Sequence, residues 1–468
     1  MTASVFSQIH LSNFRGFQRP TDIRLKKITL LFGQNSAGKS TVIKSLLLLQ
    51  QSFERSRTRR PDLFVFSGDS VDLGSFLATV SGHRAQNELA VGVTIPGISP
   101  LNEGFEGLGE NLNVVWRISN SQQQLQVEMH FGELVLHFEK TVIQNKNFFV
   151  LVESDLEAWC DLALGQESLF SEYDELLNDI RLGVGWLPVF KFDLIPVQVL
   201  GSVRGREMRR YGRGTNDDDE TIGLSDQSIS RRWWKLAQPF VTQLRHRLDR
   251  MVYLGPLREE PTRYERFTPT SNHDVGQSGE NMLSLLYSNP QYVTAVNNHL
   301  ATMEVPYEIR VGQLESQETL GSILHMSLVN RAGLVLSPSD VGVGYSQVLP
   351  LITQAVVSKR DLVCVEQPEL HLHPAMQARL GDVFIDAALG GNNVQFLIET
   401  HSESLMLRIL RRIREGRLSP DDVSVLYIDQ DKNGISHVVD LEINEAGDFI
   451  TAWPHGFFDE RLDEIGFN

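Results

Sequence analysis

Residues 28–41 read ITLLFGQNSAGKST, and this stretch decides the fold. An apolar run of strand length leads into a glycine-bracketed loop, and a helix-forming run follows. Gly33 and Gly38 enclose the loop and Lys39 and Ser40 close it, which matches the phosphate-loop pattern G-x-x-x-x-G-K-[ST]. In that pattern backbone N–H groups surround a phosphate, the lysine reaches the β- and γ-phosphates, and the serine hydroxyl ligates magnesium. We therefore expect ATP and Mg²⁺ as cofactors.

The bulk composition fits a folded protein with two or three lobes, because 468 residues are too many for one core. The formal charge of −16 disfavours a protein that coats nucleic acid, although local basic patches remain compatible with DNA. Two cysteines far apart predict no disulfide framework. The N-terminus has no signal-peptide pattern and no apolar stretch reaches membrane-spanning length, so we expect a cytoplasmic protein without a membrane partner.

Three further motifs follow about 300 residues after the loop. The first, SPSDVGVGYSQ (337–347), places small residues ahead of an apolar helix, which favours an anion-binding helix N-terminus. The second, VEQPELHLHP (365–374), ends an apolar strand at two polar residues, Glu366 and Gln367. The third, VQFLIETHSES (394–404), is a strand followed by His401.

The N-terminal segment IHLSNFRGFQ and the loop after it resemble the start of the ABC-type ATPases of DNA maintenance, such as RecF, the SMC proteins and the OLD nucleases. The resemblance covers roughly residues 1–90 and 250–468. Two segments, YLGPLREEPTRYERF (253–267) and WPHGFFDERLDE (453–464), are similar to a group of prokaryotic AAA-type ATPases with relatives in antiphage systems such as Septu (PtuA). The resemblance implies an α/β ABC-type ATPase head, with a mixed sheet, flanking helices and an antiparallel β-subdomain.

The resemblance also implies roles for individual residues. Laid on the ABC pattern Asp-Glu-Pro-x-x-x-Leu-Asp, Glu366 takes the magnesium carboxylate beside Ser40, and Gln367 takes the position of the water-activating glutamate. His401 matches the switch histidine that contacts the γ-phosphate. The expected nucleotide-binding residues are Gly33, Asn35, Ser36, Ala37, Gly38, Lys39, Ser40 and Thr41, with the signature residues Gly344, Ser346 and Gln347 acting on the nucleotide of a partner subunit.

Hydrolysis is expected to be slow. Gln367 holds a water by hydrogen bonding but cannot take its proton, and loss of a general base commonly costs about two to four orders of magnitude. Two residues remain as alternatives: Glu369 as the base, or His401 as the group that orients the water. Glu366, Gln367, Glu369 and His401 are therefore the candidate catalytic residues.

The predicted domains are an N-terminal half of the ATPase domain (1–90), an inserted, mainly β and helical lobe (91–250) and a C-terminal half (251–468). Short alternating strands in the insertion predict an extension of an antiparallel sheet. The charge-segregated stretch 204–228 predicts a mobile loop.

Arginines are the candidate docking residues for DNA or an acidic protein, with a solvated surface as the plainer interpretation. We expect Arg258 and Arg263 to be solvated. The clusters are Arg55, Arg57, Arg59 and Arg60; Arg204, Arg206, Arg209, Arg210 and Arg213; and Arg408, Arg411 and Arg412.

Two classes of function stay open. The first is an ATPase that pairs around ATP, as a homodimer or higher even oligomer, and regulates a separate effector such as a nuclease in antiphage defence. The second is a RecF- or OLD-type ATPase that acts on DNA directly. OLD nucleases carry a Toprim domain, but only about 65 residues follow the His401 region. Asp429 and Asp431 there predict a hairpin with an Asp-Lys-Asn-Gly turn rather than a metal site.

Overall fold

The computed structural model describes residues 4–56, 64–97, 111–120, 125–132, 134–143, 146–152, 155, 186–191, 199–204, 241–260, 262–267, 274–314 and 321–454. It divides the chain into two compact units. The first unit contains residues 1–5, 24–43 and 250–468, and the second contains residues 6–23 and 44–249. Residues 44–90 therefore cluster with the second unit, and the division predicted from the sequence remains a proposal.

The first unit is built on a six-stranded sheet. In sheet order its strands are β11 (Met251–Leu254), β16 (Leu362–Glu366), β17 (Gln395–Glu399), β3 (Ile28–Gly33), β18 (Val423–Gln430) and β19 (Ser436–Asp440). The first five are parallel, and only β19 pairs antiparallel. Strands β3, β16 and β17 are buried throughout because helices cover both faces of such a sheet. Their carboxyl ends meet at one edge, where ligands bind in open α/β sheets.

A smaller antiparallel sheet and six helices complete the regular structure described for this unit. The small sheet contains β12 (Glu265–Arg266), β13 (Tyr307–Leu314), β14 (Ile323–Asn330) and β15 (Val335–Leu336). The helices are α1 (Lys39–Ser56, which continues into the second unit), α3 (Met282–Ser288), α4 (Pro290–Thr302), α5 (Val343–Val357), α6 (Pro374–Leu389) and α7 (Glu403–Arg414). Apolar residues of α5, α6 and α7 pack with β3, β16 and β17 in one core.

An ion-pair network joins α6 to α7. Asp382 on α6 accepts hydrogen bonds from Arg408 Nη1 at 2.9 Å, from Arg412 Nε at 2.6 Å and from Arg412 Nη2 at 2.8 Å. The side chains of Asp382, Arg408 and Arg412 are 10%, 19% and 14% exposed. The prediction of this arginine face as a docking site is therefore wrong for Arg408 and Arg412, because both guanidinium groups bind a neighbouring helix.

The hairpin predicted at the C-terminal end is confirmed. Strands β18 and β19 pair antiparallel, and the turn between them has Gly434 at φ 77°. Asp431 Oδ1 accepts hydrogen bonds from the backbone N–H groups of Asn433 and Ile435. Its carboxylate thus stabilises the turn, as is usual for aspartate in turns.

The second unit is built on a nine-stranded sheet. In sheet order its strands are β10 (Val199–Arg204), β9 (Trp186–Lys191), β8 (Lys146–Leu151), β7 (Leu134–Ile143), β6 (Leu125–Phe131), β5 (Leu112–Ile118), β4 (Leu89–Ile95), β1 (Gln8–Ser12) and β2 (Thr21–Arg24). Successive neighbours from β10 to β1 are antiparallel, which confirms the predicted antiparallel strands. A short helix, α2 (Phe76–Thr79), and a helical segment at 241–249 also belong to this unit.

Several predictions fall on residues that the structure does not describe. Residues 205–228 of the predicted loop, and the side chains of the first two arginine clusters, lie outside the described part of the chain. Within the described residues, no helix combines the length and the apolar character needed to cross a membrane.

Candidate functional site

Three strand ends of the first unit bring the predicted motifs together. The phosphate-loop segment follows β3, Glu366 is the last residue of β16, and Glu399 is the last residue of β17. Strand β17 lies between the other two, with Glu399 in register with Glu366 on one side and with Leu31 on the other. Neighbouring strands are about 4.8 Å apart. The loop and the two carboxylates therefore share one edge of the sheet.

The loop has the backbone conformation of an anion-binding turn. Ser36 and Gly38 both have positive φ, at 65° and 115°, whereas their neighbours Asn35 and Ala37 do not. Such alternation turns successive N–H groups toward one point, and α1 then adds the positive end of its dipole. At Gly33 a β-carbon would lie 2.1 Å from the carbonyl oxygen of Ile428 on β18. Only glycine therefore fits at the end of β3, where the two strands lie side by side. Ser436 Oγ donates to the Ala37 carbonyl at 2.6 Å and holds the loop.

Lys39 begins α1 and folds back over the loop. Its ammonium group donates to the carbonyl oxygens of Gly33 at 3.0 Å and Gln34 at 2.8 Å, and the residue is 4% exposed. Burial lowers the pKa of Lys39, while the charges of Glu399 and Glu369 oppose that shift. A buried ammonium group at the centre of an anion-binding turn suits a phosphate ligand.

Glu366 and Ser40 are the oxygen donors predicted for magnesium. Ser40 lies in the first turn of α1, and Glu366, 7% exposed, accepts a hydrogen bond from Tyr253 Oη at 3.1 Å. Burial, followed by the charge of Glu366, raises the pKa of Tyr253 well above its usual range, so the phenol stays a donor. Carboxylate and hydroxyl oxygens are hard ligands of the kind that Mg²⁺ prefers, and the residues present therefore fit this ion.

Gln367 and Glu369 follow Glu366 in a tight turn. Gln367 has φ 45°, and its N–H donates to the Glu399 carbonyl at 2.8 Å. The Glu369 carboxylate accepts from Thr400 Oγ1 and from the His401 N–H, both at 2.7 Å. Burial raises the pKa of Glu369, and these two donors oppose the rise. Both oxygens of Glu369 therefore tie the turn after β16 to the loop after β17.

His401 lies in that loop, half-buried, ahead of α7. Burial, and secondly the charge of Lys39, lower the pKa of its imidazole and favour the neutral ring. The next residue, Ser402, caps α7 by accepting a hydrogen bond from the Leu405 N–H at 3.0 Å. The loop is thus fixed on both sides of the histidine.

Arg258 corrects a prediction, because it is buried and not solvated. It is 5% exposed, Nη2 donates to the Glu366 carbonyl at 3.2 Å, and burial lowers the pKa of the guanidinium to about 10. Among the described residues, Nε and Nη1 have no hydrogen-bond partner. Arg263, in contrast, is exposed and forms an ion pair with Asp340, as expected for a surface arginine.

The signature residues lie at the N-terminus of α5. Gly342 is exposed and has open space around it, and a β-carbon at Gly344 would lie 2.9 Å from the His371 carbonyl oxygen. Ser346 and Gln347 are 6% and 4% exposed. Gln347 Nε2 donates to the Arg258 carbonyl at 3.3 Å. The exposed part of the signature is therefore its glycine end, while its polar side chains face the interior of the unit.

Sequence reasoning missed Glu399. The residue is 5% exposed, and its Oε2 has no hydrogen-bond partner among the described residues. The available signal was a glutamate that ends the apolar strand QFLIE, directly before His401. Its position between the loop and Glu366 depends on the strand order, which the sequence did not give.

Three family models match separate parts of the chain. A model described as "AAA ATPase domain" matches residues 6–153, and one described as "AAA domain, putative AbiEii toxin, Type IV TA system" matches residues 271–407. A third, described as a protein of unknown function (DUF3696), matches residues 418–466. The two ATPase models cover the loop and the strand ends that meet it.

A curated relative and several solved structures are also similar. The DNA replication and repair protein RecF of Rippkaea orientalis is 27% identical over 114 residues, which is 24% of this chain and 29% of that protein. The Smc head bound to the C-terminal winged-helix domain of ScpA has a TM-score of 0.45 at 12% identity, covering 94% of this chain and 98% of that one. The SMC head domain of Thermotoga maritima has a TM-score of 0.39 at 12% identity, covering 94% and 99%.

Proposed function

We propose that this chain, which matches two AAA-type ATPase models and is similar to RecF, binds Mg-ATP at residues 33–41 and hydrolyses it slowly. The resulting movement passes to a separate effector protein. One observation carries this proposal: the loop after β3, the Glu366 carboxylate and the loop of His401 meet at one sheet edge. Phosphoryl transfer needs a phosphate cradle, a metal carboxylate and polar groups around the γ-phosphate at one point.

The residues of the loop exchange their present contacts for the nucleotide. Lys39 now donates to two loop carbonyls, and the β- and γ-phosphates of ATP would take over those donations as stronger acceptors. The N–H groups of residues 35–40 surround the β-phosphate. Ser40 and Glu366 would hold Mg²⁺, which would supply positive charge to neutralise the phosphates. Tyr253 orients the Glu366 carboxylate through its hydrogen bond.

Slow turnover follows from the position after Glu366. Gln367 occupies the place where ABC-type ATPases have a glutamate, and an amide cannot take a proton from water. The usual base is therefore absent from this position, while positioning and electrostatics still supply much of the acceleration in phosphoryl transfer. The ATP-bound state is therefore long-lived.

The exposed end of α5 is the proposed contact with a second copy of the chain. A helix N-terminus attracts an anion, and Gly342 at this end is exposed. In a pair of chains it would face the γ-phosphate held by the partner. The buried side chain of Ser346 would then support the helix end rather than touch the phosphate.

The test of pairing is Gly342→Glu. Gly342 has φ −56° and no atom within 4 Å of an added β-carbon, so the variant should fold normally. The new carboxylate would oppose the partner's γ-phosphate, and like charges in an interface cost several kcal/mol. We expect ATP-dependent pairing, measured by light scattering, to weaken by about 10²-fold while ATP affinity is kept. The matched control is Gly391→Glu, which also has open space and no positive φ. Equal pairing in both variants would contradict the arrangement.

The effector and the setting complete the proposal. The RecF relative is named a DNA replication and repair protein, and one matched model names a toxin–antitoxin system. We favour an ATPase subunit of an antiphage system over a RecF-type protein that acts on DNA directly. The described residues contain no group of three or more His, Cys, Asp or Glu side chains that would hold a metal ion. The proposed chemistry of this chain is ATP hydrolysis, and the proposed effector is a separate protein.

A further inference from the structure

Glu399 lies at the sheet edge where the phosphate loop and Glu366 meet. Its strand, β17, separates the phosphate-loop strand β3 from the magnesium strand β16. Residues in register on parallel strands direct their side chains to the same face. Glu399 is in register with Glu366, so its carboxylate lies beside the proposed magnesium ligand and on the side of the loop. Two nearby carboxylates raise the pKa of Lys39, and Glu399 has the larger effect of the two.

The Glu399 carboxylate is buried without a full set of partners. The residue is 5% exposed, and Oε2 has no hydrogen-bond partner within the described parts of the chain. A buried carboxylate oxygen left in this state is unfavourable. Such groups are rare in folded proteins, and a missing ligand, ion or water is one explanation for them. An incoming ligand or water would satisfy the free oxygen.

The other candidate bases are already engaged or chemically unsuited. The side chain of Gln367 is an amide, which cannot take a proton from water. Its backbone N–H donates to the backbone carbonyl of Glu399. Both oxygens of Glu369 accept hydrogen bonds from the Thr400–His401 segment. Using Glu369 as a base would require breaking these bonds. Glu399 needs no such rearrangement, because its Oε2 is free of protein donors in the described residues.

We propose that Glu399 replaces the missing glutamate at position 367 and accepts the proton of the attacking water. This inference rests on the proposed ATPase function. The water oxygen forms a bond to the γ-phosphorus, and the bond from that phosphorus to the β–γ bridging oxygen breaks. Its electron pair leaves with ADP. The water proton goes to the Glu399 carboxylate, which later releases it to solvent. The base therefore comes from β17 instead of β16.

The test compares Glu399→Gln with the wild-type chain and with Glu445→Gln. The first substitution keeps the shape of the side chain and removes its ability to take a proton. The second alters an exposed glutamate in a turn of the same unit. Calorimetry should give Mg-ATP affinities within about 3-fold for all three proteins. Single-turnover hydrolysis should fall by about 10²-fold or more in Glu399→Gln only, the usual cost of losing a general base.

The outcomes separate this inference from the proposed function. If the wild-type chain neither binds nor hydrolyses ATP, the proposed function fails. If the wild type turns over and Glu399→Gln does so within 3-fold of it, Glu399 is not the base, and the ATPase assignment stands. If Glu399→Gln loses Mg-ATP affinity together with its hydrolysis, Glu399 serves binding and the proposal is overturned. A variant that binds ATP tightly but does not cleave it supports the proposal.

Discussion

Asp382→Asn tests the ion-pair network between α6 and α7. The carboxylate accepts three hydrogen bonds from the guanidinium groups of Arg408 and Arg412, at 2.6–2.9 Å. An asparagine keeps one acceptor oxygen and places an NH₂ group against cationic donors. The change therefore breaks part of the network at a site where each side chain is under 20% exposed. Arg408 loses the carboxylate that it binds, and Arg412 keeps only its ion pair with Glu415.

The expected loss follows from the burial of these groups. Removing one member of a fully buried ion pair costs about 3–5 kcal/mol, and hydrogen bonds to charged groups contribute about 1.5–3 kcal/mol each. Partial access of solvent to the two arginines offsets some of this cost. We expect the free energy of unfolding to fall by about 2–4 kcal/mol, measured by urea titration with circular dichroism.

The matched control is Asp448→Asn in the same unit. Asp448 forms an ion pair with Arg414 at 3.3 Å, and the two side chains are 64% and 56% exposed. Exposed pairs contribute about 0.2–1 kcal/mol. An equal loss in both variants would refute the claim that burial makes the Asp382 network strong. An unchanged stability in Asp382→Asn would refute the network itself.

Three other outcomes are expected. Arg258→Met should change the free energy of unfolding by less than about 1 kcal/mol in a urea titration. The lost hydrogen bond to the Glu366 carbonyl is offset because the substitution also removes buried N–H groups that have no partner among the described residues. A loss above about 3 kcal/mol would contradict this. The pKa of Glu128 is lowered to about 2, foremost by the imidazole of His130, so its stabilisation is present above pH 4.5 and lost as the pH falls toward 2. In Glu128→Gln the free energy of unfolding should therefore fall by about 1–2 kcal/mol less between pH 4.5 and pH 2 than in the wild type, after allowance for solvent screening. Identical acid unfolding curves for the two proteins would contradict this. Purified alone with Mg²⁺ or Mn²⁺ and ATP, the protein should not cut plasmid DNA; cleavage that disappears in Asp429→Ala would move it to the nuclease class.

The local backbone structure around the candidate site could be predicted from the sequence. The strand, loop and helix around Gly33 and Lys39 depend on residues close in the chain, and glycine spacing fixes the loop. The turn at Asp431 is likewise a local structure. These elements could be read from the sequence because their hydrogen bonds join near neighbours.

The features that could not be predicted from the sequence depend on pairing between segments far apart in the chain. Arg258 is buried because β11 pairs with β16 and carries the following segment to the site. Glu399 reaches the loop only because β17 lies between β3 and β16. In the sequence, Arg408 and Arg412 form part of a basic cluster with no evident partner. Packing of α7 on α6 gives both of them the carboxylate of Asp382. The partner of a charged residue can be identified only once the packing of the strands and helices is known.

The most direct test of the central claim is calorimetry of Mg-ATP binding to the wild-type chain, to Lys39→Ala and to the exposed-lysine control Lys359→Ala. Lys39 has two hydrogen bonds that the phosphates would take over, each worth about 1.5–3 kcal/mol to a charged partner. The account predicts saturable binding to the wild type and the control, and an affinity at least about 10²-fold weaker in Lys39→Ala. Equal ATP affinity in all three proteins would contradict nucleotide binding at residues 33–41.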